Sequence, residues 1–192
     1  MRKLLTLVAL VCMVVGAKAQ TEIVIGPKVG MNVTNLSSLD LKEKVSFHVG
    51  GFAEFRFSDY FAVQPELIYS RQGARDKNDG TKMIFRANYL NIPVLFRCYV
   101  LDQLSVDLGP EFGFALNARY KVKANKNTVT DMDVNTLSFA FAMGVSYNWD
   151  NLMFSARYNL GLSNAIDKKE VDGGNKNHVF QLSVGYRFGD LF

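Results

Sequence analysis

Ser46 and His48 stand two residues apart, the spacing at which a hydroxyl and an imidazole share one face of an extended strand. A serine beside a base is the start of a nucleophilic site, which also needs a third group to orient the base. Ser-x-His recurs by chance, and no fuller catalytic motif accompanies it, so the pair alone predicts no enzyme. The second histidine, His178, has no such neighbour. The spacing of His, Asp and Cys offers no metal site, and nothing in the sequence implies a cofactor. The Lys, Asn and Asp residues around 123–133 and the DKKE run at 167–170 read as solvated loop charges rather than Ca²⁺ ligands.

A larger set of ionisable residues shares one feature. Lys28, Arg56, Arg97, Arg157 and Arg187, with Glu54, Glu66, Asp107 and Glu111, all fall in the same register of alternating segments. Five positive and four negative groups nearly balance, so they can pair with one another. A hairpin centred near Asp102 sets Arg97 opposite Asp107. A hairpin centred near Tyr60 sets Glu54 opposite Glu66, and two facing carboxylates need a cation between them. Arg56, Arg187 and Arg97 are the candidates, since a guanidinium can hold a carboxylate through two donors.

The elements that position these groups are strands. In TLSFAFAMGVSYNW, residues 136–149, Leu137, Phe139, Phe141, Met143, Val145 and Tyr147 alternate with Ser138, Ala140, Ala142, Gly144 and Ser146. A period of two is the strand signature. Eight such segments are expected, at about 23–33, 44–57, 61–71, 83–99, 104–118, 136–148, 152–162 and 178–188. Short connections at 58–60, 100–103 and 149–151 alternate with long polar ones at 34–43, 72–82, 119–135 and 163–177, which read as loops.

Every segment repeats the two-faced pattern. Large apolar residues such as Phe47, Val49, Leu67, Tyr69, Leu90, Ile92, Phe112, Phe154, Leu182 and Val184 take one face. The nine ionisable residues, Gln64, Asn91, Asn159, Gln181 and many Gly, Ala and Ser take the other. The inside of an eight-stranded barrel is just wide enough for side chains to fill it. Small residues with a few long polar ones fit there; five large apolar groups per strand do not. The large face therefore points outward, into acyl chains, and the sequence predicts an all-β, eight-stranded, antiparallel up-and-down transmembrane barrel. Aromatics near the short turns (Phe55, Phe57, Phe61, Tyr147, Trp149, Tyr186, Phe188) suit an interfacial girdle. Pro65 and Pro93 predict local bulges or bends. Reversing the faces would make a soluble, lipocalin-like carrier, which the charges oppose.

The start of the chain is different. Arg2 and Lys3 precede an apolar run from Leu4 to Val15, followed by Ala17-Lys18-Ala19, which predicts a secretory signal peptide over 1–19 and a barrel domain over 20–192. Removing it takes the formal charge from +4 to about +1, with 19 basic and 18 acidic residues left, so nucleic acid is not an expected partner. Cys98, the one remaining cysteine, falls in the apolar register and reads as a filler without a disulfide.

On the stretches KVGMN (28–32), VQPELIYSRQGA (63–74), YLNIPVLFR (89–97), LGPEFGF (108–114) and GYRFGDLF (185–192), the sequence resembles the small outer-membrane β-barrels of the PorT-like, OmpA-like transmembrane-barrel group. The resemblance implies an integral protein of a Gram-negative outer membrane, with both termini and the short turns periplasmic and the long loops outside. It implies contact with outer-membrane lipid, and with the barrel-assembly machinery during biogenesis through Tyr186, Phe188 and Phe192. The expected function is non-enzymatic, structural or surface-interacting, with a protein partner reached through the extracellular loops. The alternatives are a porin-like small-solute channel and an accessory component of a secretion or assembly system.

Overall fold

In the computed structural model, residues 22–36, 44–78, 81–123, 127–131, 137–164 and 176–189 are described. Nine strands appear among the described residues, in chain order: β1 (Glu22–Leu36), β2 (Lys44–Arg56), β3 (Phe61–Asn78), β4 (Thr81–Leu101), β5 (Leu104–Lys123), β6 (Asn127–Asp131), β7 (Leu137–Trp149), β8 (Leu152–Asn164) and β9 (Lys176–Tyr186). Each described pairing is antiparallel. β1 pairs with both β2 and β9, and β4 with both β3 and β5, so eight strands close into a barrel. Short β6 pairs with β5 alone and lies outside the closed ring.

Closure sorts the two registers as expected. Leu95 is wholly buried while its neighbour Phe96 is 60% exposed. Val29, Met31, Phe47, Leu67, Phe141 and Leu182 are likewise exposed, and Lys28, Glu54, Glu66, Arg97 and Asp107 are buried. This inversion of a soluble protein's burial is what a barrel with a polar lumen and an apolar lipid face requires. The lumen is not wholly polar: Val24, Phe52, Ile68, Tyr89, Tyr99, Met153 and Val179 also pack inside. Cys98 is exposed on the outer face.

The structure corrects the expected loops at 72–82 and 119–135. β3 runs on to Asn78, β4 begins at Thr81, β5 continues to Lys123 and β6 follows. Beyond the acyl chains the outward register is no longer apolar, so the lipid-facing pattern that marks a strand lower down stops while the backbone ladder persists. The DKKE run lies outside the described residues, as does the proposed leader.

The prolines do not shift the register. The β3–β4 ladder breaks after Pro65↔Val94 and resumes in step at Ile68↔Asn91; the β4–β5 ladder breaks after Pro93↔Glu111 and resumes at Phe96↔Leu108. A missing N–H removes a bond without adding a residue. The register shifts fall instead at Asn88/Tyr89 and Tyr99/Leu101. In the gap of the β4–β5 ladder, between the Glu111 and Leu108 pairings, Gly109 allows close approach, since a Cβ there would lie 2.0 Å from the Val94 carbonyl oxygen. At the Trp149–Leu152 hairpin, Asp150 has φ of 53°, the left-handed geometry of a two-residue turn, which Asp tolerates.

Phe141→Arg is expected to destabilise the barrel by roughly 2–4 kcal/mol, the cost of a cation on the lipid face. Ala142→Ser, on the lumen face, is expected to stay within about 0.5 kcal/mol, because Asn159 opposite it carries an Oδ1 with no hydrogen-bond partner among the described residues. Denaturant unfolding in lipid vesicles measures both; equal tolerance would reverse the face assignment.

Candidate functional site: the charged lumen

The inward register of six strands, with Arg187 just past the end of β9, brings eight of the nine ionisable residues into two centres and a rim. In the first centre, Glu66 of β3 accepts two hydrogen bonds from Arg157 of β8, at 2.8 and 2.9 Å. It also accepts from Lys28 Nζ of β1 at 3.0 Å and Gln64 Nε2 at 2.6 Å. One carboxylate thus ties together three strands spread around the wall. Glu111 of β5 lies in the same half of the lumen and is held differently. Its two oxygens accept the side-chain amides of Asn91 and Asn159, each at 2.7 Å.

The second centre is Arg97 of β4. Its Nε donates to Asp107 at 3.1 Å and Ser105 at 3.2 Å, its Nη1 to Glu54 and to Gln64 Oε1 (2.6 Å), and its Nη2 to Ser105 at 2.9 Å. Asp107 also accepts from the hydroxyls of Ser105, at 2.7 Å, and Ser146. The Tyr99 hydroxyl donates to Glu54 at 2.6 Å. At the short-turn rim, Arg56 stacks on Tyr99, 4.0 Å from its centroid, and donates to the Asp59 carbonyl. Arg187 reaches Glu54 at 3.9 Å and Glu22 at 4.0 Å.

The geometry agrees with one hairpin offset and corrects the other. Arg97 and Asp107 are direct register partners. Glu54 and Glu66 are not: the β2–β3 turn is centred on Asp59, so Arg56 faces Ala62 and Phe52 faces Glu66. A shift of one residue in the turn centre moves the partner by two. The two carboxylates therefore need no shared cation, and Arg56 bridges neither to the other. For the carboxyl-terminal signal, Tyr186 and Phe188 pack edge to face with centroids 5.3 Å apart, Phe188 N donates to Ile25 O at 2.9 Å, and Phe192 lies outside the described residues.

His48 meets a serine other than Ser46. Its Nε2 lies 2.8 Å from Ser183 Oγ of β9, and its Nδ1 lies 2.6 Å from Asn32 Oδ1 of β1. Asn32 Nδ2 donates to Ser70 Oγ at 2.9 Å and to the Arg71 carbonyl at 3.3 Å, which turns its Oδ1 toward the imidazole. His48 therefore donates from Nδ1 and accepts the Ser183 hydroxyl at Nε2. This is the connectivity of a serine, base and orienting amide. All three are buried in the lumen wall, His48 at 1% and Asn32 at 0% exposure. Ser46 Oγ is buried without a partner among the described residues.

A family model of the outer membrane protein beta-barrel domain matches residues 18–167. The chain belongs to that family. Among solved structures, it is similar to Neisserial surface protein A, with 14% identity over 86% of this chain and 97% of that one, at a TM-score of 0.54. It is also similar to Ail, the attachment invasion locus protein of Yersinia pestis, with 16% identity over 88% of this chain and 100% of that one, at a TM-score of 0.53. At such identities the shared property is the fold. No curated protein matches the sequence. The family membership makes the chain an integral protein of a Gram-negative outer membrane; it reaches the barrel domain, not the PorT-like branch.

Unfolding free energies of Arg97→Ala, Asp107→Ala and the double variant are expected to show coupling beyond about 0.5 kcal/mol. Glu66→Gln, which strips two buried cations of their partner, is expected to cost roughly 3–5 kcal/mol. Glu111→Gln is expected to cost far less, because its amide partners carry no charge. Additive effects at the first pair, or equal costs at the two glutamates, would mean that lumenal water rather than these partners solvates the charges.

Proposed function

We propose that this outer-membrane barrel is non-enzymatic, that its lumen is a structural plug, and that its work is done by the hairpins rising beyond one end. The observation that carries this is the length of three strands. β3, β4 and β5 have 18, 21 and 20 residues, while the described parts of the other five wall strands have 11 to 15. The extra length lies at the end opposite the short turns, and β6 widens the raised sheet there. Strand length beyond what spans the bilayer does not serve the barrel, so it supports a surface-interaction role, with a partner met outside the membrane. The orientation follows the expected one: termini and short turns periplasmic, raised hairpins outside, outer-membrane lipid around the wall, and the assembly machinery engaged at the closing strand.

The crossing ion pairs support a filled lumen over a small-solute channel. The Ser183, His48 and Asn32 chain supports a structural role, since a nucleophile needs a substrate within reach and this serine is enclosed.

Epitope tags in 119–135 and 163–177 are expected to be labelled on intact cells, and a tag at 149–151 is not; the opposite result would invert the topology. In planar bilayers the protein is expected to give no stable conductance steps, and steady steps would favour the channel. A fluorophosphonate probe is expected to leave the folded barrel unmodified; an adduct on Ser183 would overturn the non-enzymatic reading.

A further inference from the structure

We infer that the raised sheet carries a binding face for the phosphates of the anionic glycolipid that forms the outer leaflet; this rests on the outward orientation proposed above. The argument is one of register. In β3 the lipid-facing positions are Phe61, Leu67 and Tyr69, and the same register continues through Arg71, Arg75 and Lys77. In β4, Arg71 faces Asn88, Arg75 faces Ile84 and Lys77 faces Lys82. In β5, Lys82 faces Lys123, Ile84 faces Lys121 and Arg86 faces Arg119. Residues directly opposite share a face, as do residues two apart along a strand. Eight Lys and Arg positions of the raised strands therefore occupy a single face, with Asp131, opposite Arg119, as its acidic position. The chain as a whole, without the expected leader, is within about one charge of neutral, so this is a local concentration.

The other face differs. Its rows run Ala74, Phe85, Tyr120 and Asp76, Met83, Val122. One face of the same strands is basic and the other mainly apolar, which is not the mixed surface of a sheet that merely meets water.

Three directly opposed like-charge pairs, Lys77 with Lys82, Lys82 with Lys123 and Arg86 with Arg119, disfavour the sheet unless anions lie across them. The membrane surface is favoured over a soluble polyanion by position. The basic positions begin one step above the apolar belt, at Arg71 after Tyr69 and at Arg86 two positions past Asn88, and they continue the lipid-facing register. Lys77 lies eight residues above Tyr69, roughly 20 Å along the normal for a tilted strand. That span covers the depth of phosphate-bearing headgroups, where a basic cluster binds by charge and by guanidinium contacts to phosphate oxygens.

The test uses the full barrel refolded in uncharged detergent, titrated with bisphosphorylated lipid A and with the same lipid stripped of both phosphates. Native mass spectrometry reads the bound lipid. The phosphorylated lipid is expected to bind at least tenfold more tightly, with affinity falling as salt rises from 50 to 500 mM (roughly the range over which screening removes such contacts). A Lys82→Gln, Arg86→Gln, Arg119→Gln, Lys121→Gln variant is expected to lose at least tenfold. A Met83→Leu, Tyr120→Phe variant, changed on the other face, is expected to bind as the parent does. Heat-modifiable mobility shows that each variant has folded. Equal binding of the two lipids, or an unchanged quadruple variant, would overturn the inference; so would heparin binding more tightly than lipid A, which would assign the face to a soluble sulfated polymer. The surface tags test orientation separately: periplasmic tags with phosphate-dependent binding in detergent would sink the orientation and leave the basic face, while surface tags without that binding would sink this inference alone.

Discussion

Backbone pairing in hydrocarbon is the constraint on which the rest depends. Each unpaired N–H or C=O in lipid costs several kcal/mol, so a sheet there must close. Closure here is made by β4 pairing with β5 and β1 with β9. It fixes the strand number, and eight strands fix a lumen only as wide as the side chains that fill it. The inward ionisable residues then cannot reach bulk water along their length. They must satisfy one another, and the network of Glu66, Arg157, Lys28, Arg97, Glu54 and Asp107 is the consequence.

A closed polar lumen need not be stabilised by its charges. Buried ion pairs often contribute less than well-packed apolar groups of the same volume, while breaking one is costly. What this network supplies is mutual placement. Glu66 links β3 to β1 and β8, and Arg97 links β4 to β2 and β5. A slip of one residue would turn each of these groups into lipid. Glu111 shows the other solution, two neutral amides in place of a cation, which satisfies both oxygens without adding charge to a region that already holds Lys28 and Arg157. Phe52, Leu95 and Met153 are buried in the lumen beside these groups, Met153 with its Sδ 3.5 Å from Arg97 Nη1.

How much of this was legible in the sequence depended on the distance between the residues involved. The strands and their faces were legible because alternation is local: Phe141 and Ala142 differ within one dipeptide. The Arg97–Asp107 pair was legible because a tight turn between them fixes equal offsets. Glu54 and Glu66 were misplaced because the same reasoning requires the turn centre to the residue, and Ser58-Asp59-Tyr60 does not announce whether Asp59 or Tyr60 occupies it. Ser183, His48 and Asn32 were out of reach, since they meet only where β9, β1 and β2 adjoin on closure, with 135 positions between Ser183 and His48. The raised sheet reads as loop in the sequence because its outward register turns from apolar to basic and no longer shows the lipid-facing pattern.

The two readings of β5, lipid wall below and raised sheet above, are joined by one irregularity. Tyr89 faces Ala115 but Asn88 faces Asn117, so Leu116 is an extra residue in β5. Below it the lipid-facing positions are Phe112 and Phe114; above it the same face carries Asn117, Arg119, Lys121 and Lys123. A bulge of one residue exchanges the faces of everything beyond it. Without it, Arg119, Lys121 and Lys123 would continue the register of Glu111 and Gly113 and stand on the lumen side, while Tyr120 and Val122 would turn outward. The bulge sits where the apolar belt ends, and it sets the β5 cations on the same face as those of β3 and β4. A single inserted residue thus lets one continuous strand obey the solvent rule of the bilayer along one stretch and of the charged surface along the next.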